Sequence, residues 1–338
     1  MTLLIVILGL SFLILIHELG HFLAAKSFGL LVEEFGFGFP PRLFAKKIGE
    51  TVYSLNLLPF GGFVKIYGEY KADDAAHLKR AFFAQKIWKK IAVILAGVLM
   101  NFLLGWFIIS SVFMIGVPSG LAITEVFDGS PAAAAGLLKG DQILNFSSAD
   151  DFVKFVQENK GREIVLNLKR SGKELKVNIT PRLEPPGGQG ALGVGFMAVG
   201  LERQPFFASI LEGFKASVSA VAAIFIGLFQ LILALFTKGQ LLAGVVGPVG
   251  IFGVAGEAAG LGLTYFLQFI ALISLNLFAL NILPFPALDG GRFLFILFEK
   301  IKGSPLSPQF ERSVNAAGFL LLLLLMIALT ARDIGRLF

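Results

Sequence analysis

The chain has 338 residues, of which 56% are hydrophobic and 15% charged, with a net charge of +6 and a mean hydropathy of +0.80. A soluble domain carries about 45–50% apolar and about 25% charged residues. The balance therefore excludes a disordered chain, a nucleic-acid-binding domain and an ordinary cytosolic enzyme, and it points to a membrane protein.

A membrane-spanning helix needs about 20 mostly apolar residues. Residues 1–31 are the first candidate, although they carry His17, Glu18, His21 and Lys26. Met1 to Ile16 contains no Lys or Arg, so the positive start of a signal peptide is missing and an uncleaved anchor is expected. Residues 32–90 are mixed. Arg42, Lys46, Lys47, Lys65, Lys71, Lys79, Arg80, Lys86, Lys89 and Lys90 outnumber Glu33, Glu34, Glu50, Glu69, Asp73 and Asp74. That excess marks the cytoplasmic side. Strand-like runs at Val52–Leu58 and Phe63–Tyr67 are divided by Pro59 and Gly61-Gly62. Gly36-Phe37-Gly38 before Pro40-Pro41 predicts a turn with close backbone approach.

Residues 91–117 are the second candidate span. From Leu121 to about Val199 the chain reads as a soluble domain, with β-rich runs at Ile123–Phe127, Ile164–Lys169 and Leu175–Ile179 around a helical pattern at Ala149–Asn159. Residues 206–262 begin with the apolar stretch Phe206–Phe236, which holds Glu212 and Lys215, and turn Gly/Ala-rich. Residues 263–298 are too long for one straight helix, and Pro284, Pro286 and Gly290-Gly291 predict helix, irregular turn and helix. Residues 313–331, with six consecutive leucines, are the last candidate span.

His17-Glu18-Leu19-Gly20-His21 is an H-E-x-x-H pattern. On a helix, positions i and i+4 share one face, so both imidazoles can bind one metal ion, and the intervening Glu can reach a water on it. The bland alternative is a pair of buried polar residues satisfied by neighbours. His77, in the basic stretch, reads as a solvated surface residue. Catalytic zinc usually takes three protein ligands, so a third is owed, and cysteine is absent. The acids inside apolar segments are Glu18 itself, Glu257 and Asp289. Asp289 sits where two prolines and two glycines free backbone groups, and irregular backbone at membrane depth is tolerated only around a buried or water-filled site. Its alternative role is a cap for the helix that follows.

His17-Glu-Leu-Gly-His21 together with Asn281-x-x-Pro284-x-Pro286-x-Leu288-Asp289-Gly290 resembles the site-2 protease family of intramembrane zinc metalloproteases, and within it the bacterial regulator-of-sigma-E branch. Gly97-Val-Leu-Met-Asn101 is similar to that family's G-x-x-x-N element, and Gly36-Phe37-Gly38 to its membrane-reentrant β-loop. Ser130-Pro131 through Gly136-Leu-Leu-Lys-Gly140-Asp141, with Gly193-Val-Gly-Phe196, resembles a PDZ domain, placed at 119–200. The resemblance implies Zn2+ held by His17, His21 and Asp289, with Glu18 as general base on a zinc-bound water. It gives Asn281 and Asn101, with Pro284 and Pro286, to the substrate backbone. Helix–helix hydrogen bonding is the alternative duty of both asparagines. The implied partners are single-span membrane proteins, such as an anti-sigma factor or remnant signal peptides, the lipid bilayer, and extracytoplasmic peptides or domains at the PDZ. The implied location is a bacterial inner membrane, crossed several times.

If Asp289 meets the histidines, sidedness follows. His17 and His21 lie past the middle of a helix that runs outside to inside, and Asp289 reaches that depth only if residues 263–298 also start outside. Phe206–Phe236 is then expected to lie on the outer leaflet. The expected architecture is a polytopic α-helical membrane protein with four transmembrane helices, a reentrant β-loop and one inserted extracytoplasmic PDZ (α+β) domain. That PDZ either recruits substrates or, as the departure at Asn145–Ser148 from the usual turn favours, excludes bulky ones. Two readings compete with the peptidase: a PDZ-based membrane scaffold with a vestigial metal site, and a metal transporter. Four intact ligating and basic residues oppose the first. Their clustering at one depth opposes the second.

Overall fold

The computed structural model describes residues 2–69, 75–146, 148–170, 173–201, 203–238 and 245–335. Lys71, Asp73 and Asp74 of the basic stretch, Ser147 of the expected PDZ turn and residues 239–244 of the 206–262 segment lie outside them. The elements in chain order are α1 (Thr2–Ser27), β1 (Val32–Ile48), β2 (Thr51–Ile66), α2 (Ile87–Ile115), β3 (Val117–Val126), α3 (Pro131–Ala134), β4 (Gln142–Ile143), α4 (Ala149–Glu158), β5 (Ile164–Arg170), β6 (Lys173–Ile179), β7 (Val194–Leu201), α5 (Phe206–Lys238), α6 (Pro248–Leu261), α7 (Leu263–Asn281), α8 (Asp289–Lys302) and α9 (Pro308–Gly335). They divide into two compact units. One holds Met1–Ile109, Gly213–Glu257 and Leu267–Phe338, the other Ser110–Glu212 and Ala258–Phe266.

The first unit is a polytopic helical assembly. Among the described residues five helices are long and apolar enough to cross a bilayer: α1, α2, α5, α7 and α9. The sequence reading counts four, because it lays α5 on the outer leaflet. By length and composition alone, the 33-residue α5 joins the set. Lipid is as apolar as leucine, so helices in a bilayer associate by close fit between small residues rather than by hydrophobic collapse. Glycines mark these contacts. A Cβ at Gly20 of α1 would strike the Ala96 carbonyl of α2, one at Gly105 of α2 would strike Leu275 of α7, and one at Gly9 would press Ile270. Ser274 Oγ donates to the Asn101 carbonyl at 2.8 Å. Gly20 and His21 of α1 meet Ala96 and Val93 of α2, while His17 meets Asn101, so α1 and α2 run antiparallel. Asn101 and Gly105 of α2 meet Ser274 and Ala271 of α7, and the Phe102 and Phe278 rings lie 5.2 Å apart, so α2 and α7 are antiparallel too. Hence α1 and α7 share one direction.

β1 and β2 pair in the antiparallel sense at both edges, and each long strand folds back on itself, so that the two inner stretches run side by side in one direction. Phe35 lies opposite both Val64 and Tyr53, and Phe37 opposite both Gly62 and Leu55. Four stretches therefore lie side by side in the order 42–48, 51–58, 32–39 and 61–66. Gly36 and Gly38 fall within β1 rather than in the expected turn; the reversal comes at Phe39 to Arg42. The expected close approach is present, since a Cβ at Gly36 would strike the Phe63 ring. The outer stretch 61–66 runs along α1, with Gly62 against Leu15. Glu50, at the turn between the strands, pairs with Arg80 at 2.6 Å and with Lys26 at 3.0 Å, and the two cations hold its carboxyl down to about 2. A buried cluster of Ala25, Leu30, Val32, Ile66, Val93 and Ile296 ties the hairpin base to α1, α2 and α8.

The second unit is α+β, with a five-stranded sheet in the order β6-β5-β4-β3-β7 in which neighbouring strands are antiparallel. In β5 the inward side chains Ile164, Leu166 and Leu168 alternate with the exposed Val165, as a half-buried strand requires. Ser148 caps α4 by accepting from the Asp150 amide, and Phe152 and Val156, one turn apart, face the core formed by Leu121, Ile123 and Ile143. Asp141, 1% exposed, takes a two-pronged bond from Arg170 at 2.7 and 2.6 Å and a third from the Leu138 amide at 2.9 Å. Replacing Arg170 with Leu strands a buried carboxylate. The expected cost is about 2–4 kcal/mol, below the full cost of a fully buried pair because the guanidinium is about a third exposed. Amide exchange confined to residues 119–200 checks this, and unchanged protection there refutes it.

Candidate metal centre

An unbroken apolar helix places His17 and His21 one turn apart on α1, with both side chains buried. Their Nε2 atoms lie 3.1 Å apart. The third group arrives from the far end of the sequence. Asp289 opens α8, and its Oδ2 lies 2.9 Å from His17 Nε2 and 3.4 Å from His21 Nε2. Leu288, not Asp289, is the cap residue of α8, and it makes no side-chain capping bond. The Asp289 side chain is turned to the histidines instead.

The segment between α7 and α8 has the irregular form expected from its prolines and glycines. Ala287 has a left-handed backbone with φ of 73°, and its amide donates to Asn315 Oδ1 of α9 at 3.0 Å. A Cβ at Gly290 would strike the Leu283 and Ile282 carbonyls, and one at Gly291 the Phe285 carbonyl. Pro286 packs on Gly318 of α9, where no side chain fits. These contacts fix where α8 starts and hence where Asp289 points.

The spacing of the three converging atoms is one that metal ligands adopt. Asp289 Oδ2 is buried and has no hydrogen bond of good geometry, despite two ring nitrogens within 3.4 Å. Ligands of a tetrahedral ion at roughly 2.0–2.1 Å are about 3.3 Å from one another, and the observed separations run from 2.9 to 3.4 Å. Two neutral nitrogens and one carboxylate are also a donor set that suits zinc. The residues present therefore fit the group. Among the described residues this is the cluster of at least three such side chains able to hold a metal ion. Glu257 is exposed on α6, and His77, also exposed, stacks on Tyr67.

Two cavities open beside the cluster. One, of about 260 Å³, is lined by Ile14, His17, Glu18, Asn101, Asn281 and Asp289 among others, and the second, of about 100 Å³, by Glu18, His21, Val64 and Arg292 among others. Pro284 and Pro286 do not line the larger cavity; Pro284 is exposed and Pro286 packs on α9. Asn276 bonds back to its own helix through the Leu272 carbonyl. Three partners were not foreseen from the sequence. The Val64 amide donates to Glu18 Oε2 at 3.1 Å, His21 Nδ1 donates to the Val93 carbonyl at 2.8 Å, and Asn101 lies 3.2 Å from His17 Nδ1. Two of these are backbone groups, which leave no mark in a sequence. Gly97, whose Cβ would strike the His21 ring, was the one signal available.

Residues 5–325 match the sequence profile of peptidase family M50. The chain belongs to that family. The regulator of sigma-W protease RasP of Bacillus subtilis is 30% identical over 411 aligned positions, which cover 96% of each chain. The zinc metalloprotease RasP of Shouchella clausii is 30% identical over 423 positions, covering 100% of this chain and 99% of its own. The family inferred from the two motifs is thus the family found by comparison. Within this M50 chain, Gly290→Ala is expected to displace Asp289 and lower peptidase turnover on the order of 100-fold, with loss of bound metal. Ala287→Gly, which suits the left-handed backbone, should retain both. Metal per chain and turnover, measured side by side, decide the matter; a fully metallated Gly290→Ala enzyme refutes it.

Proposed function

We propose that this M50 chain is an intramembrane zinc metalloprotease that hydrolyses peptide bonds within or near the membrane segment of single-span proteins. The observation that carries the reading is the convergence of His17 Nε2, His21 Nε2 and Asp289 Oδ2 beside the Glu18 carboxylate, with both histidines and Glu18 on a helix long and apolar enough to cross a bilayer. His17, His21 and Asp289 would hold the ion. When bound, zinc supplies a Lewis acid that activates water near neutral pH where bulk water is scarce.

Glu18 acts as general base, taking the proton of the attacking water and passing it to the leaving amine nitrogen. The Val64 amide holds one Glu18 oxygen at 3.1 Å and so steadies the base. A scissile bond inside a helix is shielded by its own hydrogen bonds, so the substrate unwinds locally. The outer stretch 61–66 of the hairpin borders α1, and strand addition there would keep an unwound peptide extended. Asn281, at the end of α7 on the larger cavity, is the residue we assign to the peptide backbone. Pro284 and Pro286 serve it indirectly, by shaping the break. RasP of Bacillus subtilis is named for regulating sigma-W, which supports a membrane-anchored anti-sigma factor as one substrate class here and a bacterial inner membrane as the location. In the second unit, the apolar groove between α4 and β7, lined by Phe152, Val156, Val194 and Phe196, supports a PDZ-type module for extracytoplasmic peptides.

We also propose four crossings. Because α1 and α7 run in the same direction, the chain between α2 and α7 must cross an even number of times. α5 alone as a further span would reverse α7 and carry Asp289 away from His17. A cysteine at Lys47 or Lys302 should then label only from the cytoplasm, and one at Lys173 only from outside. Lys173 labelling from the cytoplasm overturns this layout. The chain has no cysteine of its own to confuse the readout.

Glu18→Gln should abolish cleavage of a model single-span substrate while zinc stays bound. His17→Ala, His21→Ala and Asp289→Ala should lose both. Zinc content by atomic absorption, paired with the cleavage assay, tests the division of labour. Full zinc and turnover in Asp289→Ala would sink the ligand assignment.

A further inference from the structure

We infer that the Gly97-to-Asn101 stretch of α2 is the outer support of the metal centre: Asn101 is a positioning residue that fixes His17, and Gly97 is the gap that admits His21. The inference rests on the zinc reading above and deepens it. A neutral imidazole that gives Nε2 to a metal carries its proton on Nδ1, and the acceptor of that proton fixes both tautomer and ring orientation. His21 meets this requirement at the Val93 carbonyl, 2.8 Å from Nδ1, since a carbonyl can only accept. The acceptor for His17 must lie at the same place on its own ring, and there the neighbour is the Asn101 amide at 3.2 Å.

In the orientation described, Asn101 Nδ2 faces the ring and Oδ1 is buried without a partner. Two N–H donors cannot bond each other. A half-turn of the amide about its last bond exchanges the two atoms and moves nothing else. It brings Oδ1 to the His17 Nδ1 proton. The NH2 then takes the place that Oδ1 vacates, in a side chain that borders the cavity of about 260 Å³. Asn101 is 0% exposed. Its backbone is pinned as well, by the bond from Ser274 Oγ at 2.8 Å. A fully buried, pinned amide with its oxygen committed to a ring is suited to hold a ligand rather than to track a moving substrate.

Gly97 completes the device. Val93, Gly97 and Asn101 are spaced by four along α2 and so share one face. The outer two serve the two histidines, and the middle one carries no side chain where any Cβ would strike the His21 ring. The spacing of the G-x-x-x-N element thus matches the i, i+4 spacing of the histidines that it backs. Of the two duties expected of Asn101, the substrate backbone and a helix–helix hydrogen bond, this assignment favours the second, with His17 as the partner.

The test measures zinc affinity by chelator competition, and kcat and KM on a model single-span substrate, for the unaltered protein, Asn101→Leu and Asn101→Asp. Leucine removes the acceptor at similar volume, whereas aspartate keeps an oxygen in place. The expected result is a loss of about 10–100-fold in zinc affinity for Asn101→Leu, little loss for Asn101→Asp, and KM unchanged in both at saturating zinc. Zinc affinity intact in Asn101→Leu with a raised KM overturns the inference in favour of substrate binding. Equal loss in both variants overturns it in favour of a bulk packing role. If the leucine variant does not fold, ¹⁵N-histidine spectra of the unaltered zinc-loaded protein decide, with only three histidines to assign; an unprotonated His17 Nδ1 refutes the inference. Absence of zinc from the unaltered protein would instead be a failure of the metalloprotease reading itself.

Discussion

Side-chain atoms of His17, His21 and Asp289 meet within hydrogen-bond distance of one another. The first two come together through helix periodicity. The third requires the chain to stop being helical inside an apolar span, which frees backbone groups that lipid cannot satisfy. Much of the helical unit answers that requirement. Ala287 takes a left-handed turn and donates to Asn315, Gly290 and Gly291 let α8 start against the carbonyls of 282, 283 and 285, and Pro286 rests on Gly318. The break thus serves both the geometry of the site and the solvation of its own backbone.

The same economy governs the contacts between α1, α2 and α7. No hydrophobic force draws these helices together in lipid, so their spacing is set by glycine and by a few polar bonds. Gly20, Gly97 and Gly105 each stand where a methyl group would collide with a neighbour. The hairpin adds a third layer beside α1, and its Val64 amide reaches the Glu18 carboxylate. Each of these supports is a close backbone approach, which explains why the surroundings of Glu18 and His21 are so largely main chain.

Side chains with a chemical signature were legible in the sequence, and main-chain partners were not. H-E-x-x-H was legible as a helix-borne pair and Asp289 in its Pro/Gly setting as an acid able to join it, because ionisable residues are rare enough in apolar segments for each to carry meaning, while the full ligand set came from the family resemblance. The α7–break–α8 sequence was legible for a similar reason, since proline and glycine punctuate strongly. The doubled hairpin was not. Its folding back shows only in the register, where Phe35 faces two partners, and a run such as Val52–Leu58 looks the same whether it has one neighbour or two. α5 was read from sidedness rather than from composition, whereas by length and composition it is among the helices able to cross a bilayer. Asn101 was singled out for the substrate backbone or for a helix–helix hydrogen bond, but its partner was not legible, because His17 lies 84 residues away in sequence.

α9 supplies no residue to either cavity beside the ligands, yet Asn315 and Gly318 bear directly on the turn that delivers Asp289. It works as a splint. A chain truncated before Pro308 would retain both signature motifs intact and still lack the brace that aims Asp289. Motif-complete members of such a family can therefore be inert for a reason that no motif search detects, and the integrity of the last helix belongs among the criteria for calling one an active peptidase.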